Sequence, residues 1–301
     1  MININIKDNP ELYFDFEKSL EFLDKIKMED YKYPKDVTNF HIYTEFKNEK
    51  EIMCLKSYLA TQDLEKTKMI IWSDYDITDN ELVKPFLDYV TLKVYNPHEE
   101  AVGTVLESRP ELDMKDKKYY LQSDLLRLLV LHKYGGVWAD MDIIFLRDFK
   151  PLLDQEWMYM WGSETDFEKE GACATVISLH KESQLSLEFL KELMVTNARP
   201  ETACWGKEMF AEVYKRFKYD ILPSAFFNTE WHINAKYPGL GDKVESGWWE
   251  KNEYSNHLFT EAFSWHWHNT THEKAYIEPE SKFGLMKTMI DNELYERGIL
   301  K

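Results

Sequence analysis

Cysteine, glycine, proline and positive charge are all scarce in this chain, and each scarcity excludes something. The three cysteines among 301 residues, Cys54, Cys173 and Cys204, are odd in number and widely spaced. They build neither a disulfide framework nor a Cys-rich metal module, and read as buried thiols in a reducing compartment. With 11 glycines and 10 prolines and no internal repeat, nothing marks a linker, so the chain reads as a single domain overall. No apolar run approaches the length of a membrane span. The opening MININIKDNPELYFDFEKSL has neither a basic leader nor a long apolar core, so no secretory signal is expected. Lys and Arg together number 37 against 54 Asp and Glu, a net charge of −17, which argues against a nucleic-acid backbone as partner. What is abundant is core material: 44% hydrophobic and 15% aromatic residues, enough for a sizeable interior.

The most informative stretch is SDLLRLLVLHKYGGVWADMD, residues 123–142. Leu125, Leu126, Leu128, Leu129 and Leu131 cover most of a helix surface, and Asp124 and Arg127, three apart, share one face. Gly135 suits the left-handed position that closes a helix. Val137, Trp138, Ile143, Ile144 and Phe145 are β-formers on either side of two aspartates, so a strand through 137–145 is expected. Strand alternation would then turn Asp140 and Asp142 to one side. Two carboxylates in a buried setting need a counter-cation, and hard oxygen ligands suit manganese or magnesium carrying a diphosphate. The plain alternatives are a polar strand end for the aspartates and an intrahelical ion pair for Asp124 and Arg127.

The ordered run S-D-x-x-R followed by Y-G-G-V-W-A-D-M-D resembles the sugar-binding DXD region of glycosyltransferase family 32. That family includes yeast α-mannosyltransferases, α1,4-galactosyltransferase-like enzymes and, more distantly, the glucosylating clostridial toxins. The resemblance implies a GT-A fold, a Rossmann-like α/β architecture with a mostly parallel central sheet and helices on both faces. It also implies a nucleotide-diphosphate-sugar donor, a divalent cation (Mn2+ or Mg2+), a carbohydrate acceptor and retention of anomeric configuration. By the same resemblance Asp142 binds the metal directly, and Asp140 contacts the donor ribose or reaches the metal through water. Ser123, Asp124 and Arg127 hold the donor sugar and ribose, with Trp138 also on the donor side. Golgi relatives carry an amino-terminal anchor; its absence here points to a cytoplasmic enzyme of bacterial or viral type.

The rest of the chain reads as a helical arm over residues 1–35, with Leu12, Phe16, Leu20 and Leu23 at helical spacing, followed by the GT-A domain over 36–301. Strands are expected at 39–46, 69–72 and 91–95, with a helix at 52–61. Ligands of open α/β sheets bind at the carboxyl ends of the strands, which puts Tyr43, Thr44, Trp72 and Ser73 on the rim of the crevice. Core aromatics are the alternative for Tyr43 and Trp72. Family members often carry Trp at the end of the first strand, stacked on the nucleobase; Thr44 stands there instead, with Tyr43 beside it.

Further strands are expected at 158–161 and 174–179 and a helix at 183–194. Trp161, Gly162, Ser163 and Glu164 then fall where the family places donor-sugar and acceptor contacts, with Glu164 or Asp166 as a base for the acceptor or as solvated loop residues. The stretch 203–213 resembles the family's glycine-bearing helix start. Leu222 and Pro223 with Phe226, Phe227 and Trp231 resemble its LP-x-x-x-F/Y segment. Near the carboxyl end SWHWHNTTH, residues 264–272, offers His266, His268 and His272. Strand spacing puts the first two on one face, and three histidines also suit an open zinc site. The family's late H-x-W/H-x-N-like segment resembles HWHN here, which implies His266 as first-choice metal ligand, His268 second and Asn269 toward the diphosphate. Trp248, Trp249, Trp265 and Trp267 offer either an acceptor groove or a hydrophobic cluster. Helix 283–297 closes the chain. The rival functions are a metal-dependent nucleotidyltransferase or phosphohydrolase, and a non-catalytic glycan-binding protein.

Overall fold

The run MIIW at 69–72 is buried throughout, as expected for a strand covered by helices on both faces. The computed structural model describes residues 2, 4, 7–161, 166–200, 202, 204–228, 247–256, 258, 260–269 and 274–301. Its regular elements are α1 (Pro10–Phe14), α2 (Phe16–Asp24), β1 (Thr38–Tyr43), α3 (Ile52–Thr61), β2 (Thr67–Ser73), β3 (Val90–Val94), α4 (Pro97–Ala101), α5 (Tyr120–Tyr134) and β4 (Gly136–Ala139). Then come β5 (Ile143–Phe145), β6 (Trp157–Tyr159), α6 (Phe167–Glu170), β7 (Cys173–Leu179), α7 (Gln184–Val195), α8 (Met209–Arg216), β8 (Asp220–Leu222), β9 (Ser264–His266) and α9 (Lys282–Glu296).

Seven strands form one sheet in the order β3-β2-β1-β4-β7-β6-β8. Pairing is parallel from β3 through β4 and again between β6 and β8, and antiparallel where β7 meets β4 and β6. The mostly parallel sheet with helices packed on it is a GT-A fold. A separate antiparallel pair joins β5 to β9.

Helix α5 explains the centre of the sheet. Its leucines at 121, 125, 126, 128, 129 and 131 are all buried, each worth about 1.5–3 kcal/mol against an exposed side chain. Asp116 accepts the Tyr120 N–H at 2.8 Å and so caps the start, while the Gly135 N–H closes the end on the Leu131 carbonyl. Two glycines are required there. Gly135 and Gly136 both have positive φ (66° and 107°), and a Cβ on Gly136 would stand 2.1 Å from the Asn39 carbonyl oxygen of β1. The chain therefore reverses from helix into β4 hard against β1, with Phe40 opposite Val137.

Two expected boundaries moved for local reasons. The first strand stops at Tyr43 because Phe46 takes a left-handed conformation (φ 50°). Buried Glu51 also ties the following loop, accepting from the Thr44 hydroxyl at 3.2 Å and the Lys47 N–H at 2.9 Å. The amino-terminal arm is two short helices rather than one. Asp15 is extended and caps α2 through the Glu17 and Lys18 N–H groups. The arm packs on the sheet, where the Tyr13 hydroxyl donates to the Ile221 carbonyl of β8 at 2.6 Å.

Candidate active site

The strand expected through both aspartates is broken. β4 ends at Ala139, Asp140 to Asp142 form a turn, and β5 leaves the main sheet to pair with β9. Hydrogen bonds pin each side of this turn: the Asp140 N–H donates to the Thr175 carbonyl of β7 at 2.8 Å, and the Trp267 N–H to the Asp142 carbonyl at 3.0 Å. The turn, not strand alternation, brings both carboxylates to one cleft. Ile143 pairs with His266, which delivers the late segment to Asp142. Asp142 Oδ2 accepts the Asn269 N–H at 2.8 Å and lies 3.2 Å from His266 Nε2. Burial raises the Asp142 pKa, but the imidazoles of His266 and His268 and the Asn269 N–H outweigh it, to a net value of about 2.

Asp140 is held from behind. Its Oδ1 accepts the Trp138 indole N–H at 2.6 Å and Arg127 Nη2 at 2.9 Å, while Arg127 Nη1 lies 3.2 Å from Asp124 Oδ1. Arg127 is buried and also lies over the Trp138 ring. One guanidinium thus bridges the buried Asp124 carboxylate and the half-buried Asp140 carboxylate, a geometry that a planar fork provides and an ammonium does not. Burial pushes the Asp124 pKa up to about 6 despite Arg127, and burial likewise raises Asp140. Of the two DXD carboxylates, Asp142 is the one held firmly ionised.

The turn opens on a cleft of about 310 Å³. Of the residues expected at the donor, Tyr43, Thr44, Ser123, Trp138, Asp140, Asp142 and Asn269 line it. Asp124 and Arg127 stand behind it rather than on its surface. Trp72 does not reach it at all. This ring is fully buried because β2 is covered on both faces, and its indole N–H is spent on His41 Nδ1. Lining residues without a sequence expectation are Glu45, Lys47, Glu51, Lys118, Tyr119, Tyr120 and Met141. The aromatic pair Tyr119–Tyr120 at the start of α5 was the available signal for Tyr119.

The late histidines do not share a strand face. β9 ends at His266, and His268 takes a left-handed conformation (φ 53°) that brings its ring centroid to 3.9 Å from that of His266. Trp161 lies edge-on to both rings. His272, the third member of the expected zinc set, lies outside the described residues, as do Gly162, Ser163, Glu164, Ala203 and Trp231. Among the described residues no three His, Cys, Asp or Glu side chains converge as a ready metal cage. Two atoms nevertheless call for a ligand: Asn269 Oδ1 and His266 Nδ1 are buried without a hydrogen-bond partner. An orphaned carbonyl oxygen and two carboxylates fit a hard divalent cation that takes its remaining ligands from a diphosphate.

Other expectations resolve into core. Trp248, Trp249, Trp265 and Trp267 are buried and pack on one another and on Phe283 of α9, so they form a hydrophobic cluster and not an acceptor groove. Phe227 stacks on Trp157 at 4.8 Å. Asp166 is exposed and faces a separate cavity with Tyr214 and Lys218.

Residues 12–159 match the family described as glycosyltransferase sugar-binding region containing DXD motif. The matched stretch takes in α5 and the Asp140–Asp142 turn. An uncharacterized protein of Arabidopsis thaliana is 28% identical over 186 residues, which cover 56% of this chain and 28% of that protein; the chain thus spans little more than a quarter of this curated relative. Among solved structures, the glycosyltransferase GlyE of Streptococcus pneumoniae TIGR4 is similar with a TM-score of 0.50 at 11% identity, covering 88% of this chain and 64% of its own. The PaToxG glycosyltransferase overlaps with a TM-score of 0.45 at 19% identity, over 70% of this chain and 78% of that one. Among the described residues no helix is long and apolar enough to cross a membrane.

Proposed function

We propose that the protein is a metal-dependent, retaining glycosyltransferase that moves a hexose from a nucleotide-diphosphate sugar to a glycan acceptor. The observation that carries this reading is the Asp140–Asp142 turn. It places one carboxylate locked by Arg127 and Trp138 beside another locked by Asn269, on a cleft wall with an unpartnered Asn269 carbonyl oxygen. Asp142, Asp140 and Asn269, with His266 beside them, would hold the cation. When bound it supplies Lewis-acid neutralisation of the departing diphosphate, worth several kcal/mol.

The chain's own residues supply orientation. Asp142 stays ionised through the acid range because His266 and the Asn269 N–H hold it so. Arg127 fixes Asp140, and Ser123 offers a hydroxyl to the sugar or ribose from the first turn of α5. The other cleft carboxylates are engaged: Glu51 by Thr44 and Lys47, and Glu45 by Lys47. A front-face displacement, in which the leaving phosphate takes the acceptor proton, needs no protein nucleophile and suits that arrangement. The three buried, unpaired thiols suit the reducing interior of a cell.

The test is nucleotide release from a panel of UDP- and GDP-hexoses, with and without manganese and a glycan acceptor. Transfer that requires both manganese and acceptor supports the reading. Nucleotide release indifferent to the sugar marks a phosphohydrolase, and acceptor binding with no turnover marks a glycan-binding protein.

A further inference from the structure

Two cavities meet at Tyr119. The first is the cleft of about 310 Å³ that holds Asp140 and Asp142; the second, about 380 Å³, is lined among others by Asp74, Tyr95, Gln122 and the same Tyr119. The Tyr119 ring is 44% exposed, and its backbone sits in the left-handed region (φ 62°) at the entry to α5, which stands the ring up between the cavities. Lys47 from the β1–α3 loop faces that ring across the cleft mouth, 5.8 Å from its centroid. Its own side chain is 63% exposed, so it is readily displaced.

The alternatives at the end of β1 are already committed. Thr44 is buried, with its hydroxyl bound to Glu51 and to the Phe46 N–H. The Tyr43 hydroxyl donates to Asp74 at 2.6 Å, and its ring meets Tyr95 edge-on. The second cavity also contains an independent sign of a ligand. The Tyr95 hydroxyl is buried with no hydrogen-bond partner, in a residue only 9% exposed. A buried hydroxyl of that kind is relieved by the polar edge of a bound molecule. The Asp74 carboxylate, which accepts but does not donate, has room for an N–H on the same edge beside the Tyr43 hydroxyl.

We propose that Tyr119 is the wall on which the donor's nucleobase stacks, in place of an aromatic residue at the end of β1, and that the edge of the base enters the second cavity toward the Tyr95 hydroxyl and Asp74. This rests on the nucleotide-sugar reading above and extends it to the base. Stacking on Tyr119 leaves the diphosphate on the side of the first cleft, which the Asp140–Asp142 turn lines.

The experiment is calorimetric titration of the full chain with UDP, GDP and inorganic pyrophosphate in the presence of manganese, on wild type, Tyr119→Ala, Tyr119→Phe and Tyr95→Phe, with melting curves as the folding control. Tyr119→Ala is expected to weaken the preferred nucleoside diphosphate by about 5- to 150-fold, the ratio to which ~1–3 kcal/mol of base stacking converts. Pyrophosphate should stay unchanged, and Tyr119→Phe should bind nucleotide like wild type. Tyr95→Phe is expected to change the ratio of UDP to GDP affinity. Nucleotide binding untouched by Tyr119→Ala, or lost equally for pyrophosphate, overturns the stacking wall while leaving the donor reading intact. Failure of wild type to bind either nucleotide overturns both.

Discussion

Trp72 donates its indole N–H to Nδ1 of His41 across the β1–β2 pair at 3.2 Å. An indole only donates, so Nδ1 of His41 must be the acceptor, and the ring proton sits on Nε2, which reaches the Gly135 carbonyl at 3.1 Å. The ring is buried and neutral, and burial lowers its pKa from 6.5 to about 4.

That neutrality makes the fold acid-sensitive. Above pH 6.5 neither state holds the proton and His41 contributes no pH dependence. Between 6.5 and about 4 the unfolded chain takes up a proton that the folded chain refuses, so stability falls as pH falls, by up to about 3 kcal/mol at 1.36 kcal/mol per pH unit. Below that window both states are protonated and this contribution stops changing. Urea unfolding of wild type and His41→Gln at pH 7, 5.5 and 4 should show the variant losing less stability across the window; parallel losses would show that His41 does not titrate this way.

On the proposed function, Asp142→Asn should leave the fold intact and reduce glycosyl transfer by about 100-fold or more, the size of effect expected when a Lewis-acid contribution of several kcal/mol is lost. The amide oxygen can still accept the Asn269 N–H, which is why a melting point near wild type is expected. Turnover with saturating manganese is the measurement, and a rate within a few-fold of wild type would remove Asp142 from the reaction.

Arg127 is a tie before it is a ligand. Arg127→Ala leaves Asp124 buried and Asp140 half-buried without their shared cation, a loss of about 3 kcal/mol, the low end for a broken buried pair because Asp140 keeps some water. Arg127→Lys keeps the charge but not the fork, so an intermediate loss is expected. Unfolding curves measured beside donor affinity decide how it acts. A stability loss with unchanged affinity makes Arg127 wholly structural; affinity that falls along with stability shows that holding Asp140 matters to the donor.

Gly136→Ala should be among the most damaging single changes, because φ of 107° and a Cβ 2.1 Å from the Asn39 carbonyl oxygen cannot both be relieved without separating β4 from β1. A loss exceeding about 2 kcal/mol is expected. A stability within 0.5 kcal/mol of wild type, ~the scatter of surface substitutions, would show that the reversal after α5 is more pliant than it looks.

The sheet was legible where local pattern decides. Ile52–Thr61 formed the helix expected of it, and the apolar runs at β1, β2 and β7 became buried strands. The DXD turn was not legible, because Val137, Trp138 and Ile143 to Phe145 carry strand propensity straight through it. What breaks the strand is pairing with β9, set far along the chain. Trp72 took the core alternative and not the rim position, and pattern alone does not separate the two: a strand buried on both faces has no solvent side to read from its alternation. Asp140, Asp142 and Asn269 line one cleft and could be singled out from the motif, whereas Tyr119 needed the folded loops to reveal its exposure.

The β5–β9 pair also sets when the site can exist. Asp142 receives the Asn269 N–H only after Ile143 has found His266, a closure whose entropy cost must be met before its contacts form. A fragment ending before β9 would carry the aspartates of the family segment but not the backbone donor that holds one of them. On the proposed function, a copy that stops short of Asn269 is therefore expected to be blank toward cation and donor however well its sheet has formed.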